Sequence, residues 1–474
     1  MRPRLWVLLL AGVFAVLQLA NVTGRDTPDT KNYLSYALSL TGEGKRETAA
    51  ATIDYVCASR AERARRDQSV HVVRFHRPDP APEVVAECRE QQWGAVRPRL
   101  AAGQTAGHTV PYMPERFMRI FEVRPGYPVF LVPFVAVLGV TWGLWAAGVV
   151  LACAGGVLVF LILRTLAVPA ALALTGQALY YVLPCGTTAV RPMAEGLLLA
   201  LTLTAVWGCA LVLRTGGAPD RAGTAPGPAG SDPAGTAPDP AGSDPTGRMR
   251  VRRVRAAGLG LVAASLLALF TVKHSQALFL GLCLAAAGAL IAVRRHRRRT
   301  GPAPRDVLAL AAVGLAGAAG TLVLARLLHY PSAADSLQDL LTDHFARPDR
   351  AHPWPEFWQL QGNFWVEWLR RQAWQPLFAA ALAAGAWGAL RRGGATGAFL
   401  VAAAFTGLLT QAAHPDINIW GERLIVLAWL LPAVGVPLLL GPVVRGGPAG
   451  SAVRDGERAE RAVRAGADRA GATG

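Results

Sequence analysis

Two aspartates, Asp26 and Asp29, stand directly after the first apolar run, in the stretch GRDTPDTKNYLSYA, with Tyr33 one helical turn beyond the second. Charged residues interrupt the apolar pattern at four further places: Glu122 and Arg124 in FEVRPGYP, Arg191 and Glu195 in VRPMAEG, the pair Lys273-His274, and His414, Asp416, Glu422 and Arg423 in HPDINIWGER. A carboxylate can take the proton of an acceptor hydroxyl. Fixed cations stabilise the charge that develops on a leaving phosphate. Carboxylates from one loop and Arg, Lys and His from others therefore carry the two halves of a transfer in which a phosphate departs, with Arg124, Arg191 and Lys273/His274 as phosphate contacts. Each of these residues also has a plainer reading as a charge at a membrane boundary. For Asp29 that reading is the N-cap of a helix beginning near Lys31.

The elements that must position them are apolar. The chain has 474 residues, 52% of them hydrophobic, and its mean hydropathy is positive. Apolar runs lie near 5–20, 127–163, 166–183, 196–213, 256–272, 277–293, 306–328, 373–390, 395–413 and 423–443, several of them close to the roughly 20 residues that span a bilayer. Spans of this kind are helices, because a helix satisfies its backbone groups internally where no water is present. The run 127–163 is too long for one span and has GVTWG at its middle, and the tract 256–293 is broken at Lys273-His274-Ser275-Gln276. Basic clusters lie at Arg214 with 248–255, at 294–299, at Arg391-Arg392 and at 445–469. All of them fall on the cytoplasmic side only if 127–141 does not cross. The prediction is an all-α integral membrane protein of about ten transmembrane helices plus one re-entrant or interfacial segment, multi-pass in the cell membrane, with both termini cytoplasmic and the charged residues facing outside.

Four regions follow. Residues 1–213 form an N-terminal membrane region with a large extracytoplasmic loop at 21–126. Residues 214–255 are a disordered cytoplasmic linker, because AGTAPGPAGSDP followed at once by AGTAPDPAGSDP is too rich in Pro, Gly and Ala to build a core. Residues 256–444 form a second membrane region with an outer loop at 329–372, and 445–474 are a basic tail. In the second outer loop, HPWPEFWQLQGNFWVEWLRRQAW spaces its aromatics as an amphipathic helix at headgroup level. It serves as an interfacial anchor, or as a stacking platform or lid over the site.

Several function classes are excluded. The net charge of +17 reads as cytoplasmic retention charge, and no basic stretch carries the interleaved aromatics of a nucleic-acid binder. No acidic residue lies inside a span, which argues against an ion-coupled transporter. Six cysteines show no metal-ligand spacing. Cys57 and Cys88 pair if the first loop is extracellular, or remain two thiols. The carboxylates leave room for a divalent metal without requiring one. The amino terminus reads as an uncleaved signal anchor, and Asn21-Val22-Thr23 fits the glycosylation sequon.

The first span, then DTKNY (Asp29 to Tyr33), then RPGYPVFLVPF, together resemble the membrane glycosyltransferases of the GT-C fold, in particular the bacterial relatives of dolichyl-phosphate-mannose–protein mannosyltransferases. VRPMAEG is similar to that family's outer-face Arg-Pro/acidic segment. The likeness covers the layout of roughly residues 1–290. It implies a polyprenyl-phosphate-linked sugar as donor, a glycan, lipid or protein acceptor outside the membrane, and no nucleotide motif. It also implies a catalytic aspartate from the first outer loop, which is Asp29 by its spacing to Tyr33, with Asp26 the second candidate. Better-known members carry an adjacent acidic pair, whereas two residues separate the aspartates here. Tyr33, Glu122, Arg124, Arg191, Glu195, Lys273, His274 and Arg423 are then the expected substrate contacts. Two rivals share the architecture: a non-catalytic flippase or lipid-binding scaffold, and a surface-polysaccharide polymerase or ligase.

Overall fold

The computed structural model describes residues 3–215, 245–298, 304–419, 421 and 423–446. The linker duplication up to residue 244, the tail beyond 446 and Glu422 lie outside the described residues. Of the described residues 81% are helical and none lies in a strand. Among the described residues seven helices are long and apolar enough to cross a membrane, so this is an all-α membrane protein. By length and composition the count is seven, against about ten expected, for two physical reasons. Two of the seven fold back on themselves, and other apolar helices, such as Ala170–Val182, are too short to count singly.

In chain order the helices are α1 (Pro3–Leu17), α2 (Thr30–Leu40), α3 (Lys45–Ser69), α4 (Ala81–Ala101), α5 (Glu115–Glu122), α6 (Gly126–Thr165), α7 (Ala170–Val182), α8 (Pro184–Ala189), α9 (Glu195–Thr215), α10 (Pro245–Arg297), α11 (Arg305–Leu327), α12 (Ala333–Leu341), α13 (Pro353–Trp374), α14 (Leu377–Arg392), α15 (Gly394–Ala413) and α16 (Val436–Gly446). A short irregular helical stretch from Val426 to Gly435 leads into α16.

α6 is a hairpin. Gly139 sits at φ 72°, ψ 175°, a conformation open to glycine and costly for residues with a Cβ. Past it the chain doubles back, so that a Cβ on Gly143 would lie 2.7 Å from the Phe134 carbonyl oxygen. The returning arm runs antiparallel to α1: Trp145 Nε1 donates to the Gln18 carbonyl at 3.1 Å, and Cys153 lies against Ala11. The leading arm starts at Gly126, packed on Thr271 and Val272.

α10 reverses as well, at Lys273, whose backbone is extended (φ −160°, ψ 95°). Its first arm brings Arg255 Nε to Asp306 Oδ1 at 2.7 Å, and its second arm brings Gly288 to within 3.2 Å of the Val307 carbonyl, measured from a Cβ built on the glycine. Both arms thus return to the amino-terminal end of α11, leaving Lys273 at the far end. With no hydrophobic drive between helices in lipid, such contacts depend on small residues that let backbones approach. Gly281 meets Gly314, and Gly208 meets Gly258.

The two polar segments cover the end of the bundle where Asp29 and Lys273 lie. In the first, α3 and α4 are joined by a disulfide between Cys57 and Cys88, with Cα atoms 5.6 Å apart, beside a small core that includes Ile53, Val96 and Tyr112. In the second, α12 begins with a capping box formed by Ser332 and Asp335. Arg116 clamps the two together, reaching Asp335 at 3.0 Å and Asp349 at 2.8 Å. In α13, Gln361 and Phe364 are buried while Trp354, Trp358, Leu369 and Trp374 are exposed, so the helix has one buried and one exposed face.

The glycine contacts give a direct test. Gly314→Leu forces side-chain atoms into the backbone of α10 and should cost about 1–3 kcal/mol, the usual range for overpacking, read as a lower Tm in detergent. Gly260→Leu, which meets nothing within 4 Å, should leave Tm unchanged.

Candidate active site

Local sequence sets up the Asp29 corner. Thr27 and Thr30 close the turn before α2: Thr27 N donates to Thr30 Oγ1 at 2.8 Å, and Thr30 N donates to the Thr27 carbonyl at 3.0 Å. Asp29 occupies the N-cap position, yet its side chain makes no capping hydrogen bond. Thr30 Oγ1 also donates to the Pro192 carbonyl at 3.0 Å, docking α2 against the VRPMAEG turn.

With the cap closed by threonines, the Asp29 carboxylate is directed elsewhere. It pairs with Arg423 Nη2, and Arg423 Nε reaches Glu195 Oε1 at 3.3 Å. One guanidinium thus joins α2, α9 and the segment before α16. All three side chains are largely shielded, at 18% exposed for Asp29, 22% for Arg423 and 7% for Glu195. Burial lowers the Arg423 pKa to about 10, so it remains a cation at neutral pH. Glu195 also lies in the first turn of α9, where the helix dipole favours a negative charge.

Arg124 lies within electrostatic reach of the Tyr33 hydroxyl. The Tyr33 ring packs edge-on against Phe121 and Tyr127 at 5.4 and 5.2 Å, and burial raises its hydroxyl to about 12, so it serves as a neutral hydrogen-bonding group. Lys273 lies within electrostatic reach of Glu195 and Arg124, and His274 within reach of Arg124 and Lys273. The His274 ring meets Tyr330 edge-on at 5.3 Å. Glu195 Oε2, Arg124 Nε and His274 Nδ1 are buried without a hydrogen-bond partner among the described residues. Atoms of the same kind occur elsewhere in the described residues, Gln372 and Tyr180 among them, so it is the gathering of two carboxylates with Arg423, Arg124, Lys273 and His274 that sets this cluster apart.

No protein-family model, curated protein or solved structure matches this chain. What the cluster can do is therefore read from its own chemistry.

Of the ten residues predicted for the site, seven belong to this cluster: Asp29, Tyr33, Arg124, Glu195, Lys273, His274 and Arg423. Arg191 stands at the adjoining turn, its amide donating to the Thr188 carbonyl at 3.1 Å. The other two carboxylates are engaged elsewhere. Asp26 Oδ1 accepts from Ser59 Oγ at 2.6 Å and pairs with Arg63 at 2.9 Å; it fastens the first loop to α3. Glu122 accepts from the amides of His108 and Thr109, at 2.9 Å and 2.6 Å, and holds the loop between α4 and α5 in place. No group of three or more His, Cys, Asp or Glu side chains among the described residues is arranged to hold a metal ion.

A cavity of about 500 Å³ opens alongside, lined by Asp339, His344, Asn363, Glu367, His414 and Asp416 among others. Burial and, after it, Lys273 depress the pKa of His414, which puts this wall of the cavity within electrostatic reach of the cluster. The contribution of the 329–372 segment carries no local signal in the sequence, since TDHF matches no motif. Asp343, His344 and Phe345 have φ of 54°, 58° and 60°, three successive left-handed residues without a glycine, a strained arrangement that clusters at functional sites. Glycine would have signalled that turn.

Two outcomes follow. Arg423→Met leaves Asp29 and Glu195 facing each other without a cation, and breaking such a pair should cost roughly 3 kcal/mol or more; adding Glu195→Gln should recover part of the lost Tm. Asp339 lifts His344 above its ordinary value of 6.5 by accepting its hydrogen bond. A group raised on folding stabilises at pH below its unfolded pKa and loses that contribution as pH rises through the folded one. The Tm gap between wild type and His344→Gln should thus be wider at about pH 5.5 than at about pH 8.5.

Proposed function

We propose that this protein is a multi-pass membrane glycosyltransferase that moves a sugar from a polyprenyl-phosphate donor to an acceptor at the Asp29 face, in the manner of the GT-C enzymes its sequence resembles. The observation that carries the reading is the cluster itself: a carboxylate held by Arg423, set among Arg124, Lys273 and His274. In the reaction, the acceptor hydroxyl gives its proton to Asp29 as its oxygen bonds to the anomeric carbon. The carbon–oxygen bond to phosphate breaks, and the lipid phosphate leaves with the electron pair toward Arg124, Lys273 and His274. Arg423 aims Asp29 while Glu195 holds Arg423 from its other side. The neighbouring cavity, with Asp339, Asn363 and Asp416 as hydrogen-bonding groups, suits a hydroxyl-rich acceptor.

The proposed topology is ten passes, counting each arm of α10, the returning arm of α6 and the α7–α8 pair as crossings, with the leading arm of α6 held on the Asp29 side. Arg255, Arg294, Arg295, Arg297, Arg391 and Arg392 then gather at the opposite end, which the positive-inside rule makes cytoplasmic. The disulfide at the Asp29 end fits an oxidising exterior.

Asp29→Asn keeps the shape and a hydrogen-bond acceptor for Arg423 but cannot take a proton. Transfer from a panel of polyprenyl-phosphate sugars should fall by roughly 10²–10⁴-fold, with donor retention unchanged. Asp26→Asn should instead lower Tm and spare the rate per folded molecule. Full activity in the Asp29 variant removes Asp29 as the base. Absence of transfer by the wild type, alongside photolabelling by a lipid phosphate, would support a non-catalytic lipid-binding protein instead.

A further inference from the structure

The α3–α4 hairpin ends in a loop whose composition is unusual for a solvent-facing turn. Val70, Val72, Val73 and Phe75 are 82%, 88%, 64% and 62% exposed, interleaved with Arg74 and Arg77 in SVHVVRFHRP. Neither arginine is paired with a carboxylate among the described residues, whereas the neighbouring Arg65 is held by Asp79 at 2.8 Å and by Glu62 at 3.1 Å. The loop is also built rather than loose: Gln68 Nε2 donates to the carbonyls of Arg77 and Pro78 at 2.9 and 3.0 Å, and the amides of Arg74 and Phe75 both donate to the His71 carbonyl at 3.0 Å.

Its position says what those side chains meet. The early part of α3 is tied at Lys45, which donates to the Gly107 and Thr109 carbonyls at 2.7 and 2.8 Å, in the α4–α5 loop held by Glu122, the last residue of α5. The later part is tied at Ser59 and Arg63 to Asp26, and at Arg66 to the Thr23 carbonyl at 3.3 Å, just where the chain leaves α1. α3 therefore lies across the ends of the spans instead of rising away from them. Its last turn carries the 70–77 loop past α1, the most lipid-exposed candidate span, with 11% of its apolar window buried and with Val16 and Leu17 each 65% exposed at this end.

We infer that the α3–α4 tip is a membrane-seated prong: Val70, Val72, Val73 and Phe75 enter the headgroup–acyl boundary of the leaflet beside α1, and Arg74 and Arg77 bind anionic lipid headgroups there. Apolar side chains flanked by arginines match both parts of such a surface, since interfacial binding scales with buried apolar area plus attraction to anionic lipid. Each arginine near an anionic leaflet strengthens binding by roughly fivefold. The prong steadies the hairpin that carries Ser59 and Arg63, and through Asp26 the loop that leads into Asp29.

The test uses the full-length protein in nanodiscs, with Val72→Cys at the tip and Glu90→Cys, on the exposed side of α4, as the water-facing control. Labelling by a membrane-impermeant maleimide is read peptide by peptide. In nanodiscs containing phosphatidylglycerol, position 72 should label about tenfold or more slowly than position 90, since the boundary excludes the reagent; in detergent with the reagent in excess the two should be alike. Adding Arg74→Glu with Arg77→Glu, or using phosphatidylcholine alone, should return much of the lost reactivity. Equal labelling of positions 72 and 90 in nanodiscs overturns the proposal, because the tip then stands in water. Protection at position 72 that persists unchanged in detergent overturns it too, because protein rather than lipid then covers the tip. Protection that ignores both lipid charge and the arginine reversals overturns the headgroup contact.

Discussion

One guanidinium, Arg423, bridges two carboxylates that the chain places far apart, Asp29 and Glu195. A charge in the hydrocarbon core is costly and is tolerated when it faces the bundle interior and finds a partner. Setting Arg423 at the rim, between the start of α2, the start of α9 and the approach to α16, satisfies both demands at once. It also fixes how the first membrane region meets the last. Removing the cation leaves two shielded like charges, so this bridge is structural as well as chemical, and the arrangement around it depends on its being intact.

Around that bridge, the fold is shaped by how apolar segments reverse in lipid. Gly139 turns α6 through a backbone conformation that most residues avoid, and α10 turns at Lys273, where extended backbone is exposed to polar neighbours at the end of the bundle. The second device brings a cation to the site as a by-product of the turn: the residue that interrupts the apolar run is the one that must leave the hydrocarbon. Glycine contacts such as Gly281 with Gly314 then let the arms approach closely enough for dispersion forces to hold them.

Two carboxylates that look equivalent to Asp29 in the sequence are occupied in the fold. Asp26 is held by Ser59 and Arg63, and Glu122 by the amides of His108 and Thr109. Both are short-range duties of the 21–126 segment, ordering the loops that place α2 at this end of the bundle. Asp29 is distinguished from them by its partner, a residue some four hundred positions away. The 329–372 segment likewise contributes His344, on a turn of left-handed non-glycine residues, and its partner Asp339 from α12, which no local pattern announces.

Hydropathy and charge by themselves determined that this is a helical membrane protein, where its apolar runs break, and which charges must lie at their ends, because a bilayer penalises unpaired backbone groups and stray charges wherever they occur. The grouping of Asp29, Glu195, Lys273 and Arg423 could be anticipated for the same reason: charges expelled from spans collect at the ends. Tertiary structure decided which of these charges meet and which are spent on local loops. It also decided that the threonines close the turn before α2 and leave Asp29 free to pair, and that a disulfide joins α3 to α4. Those outcomes depend on distances between residues remote in the chain, which spacing along a sequence does not encode.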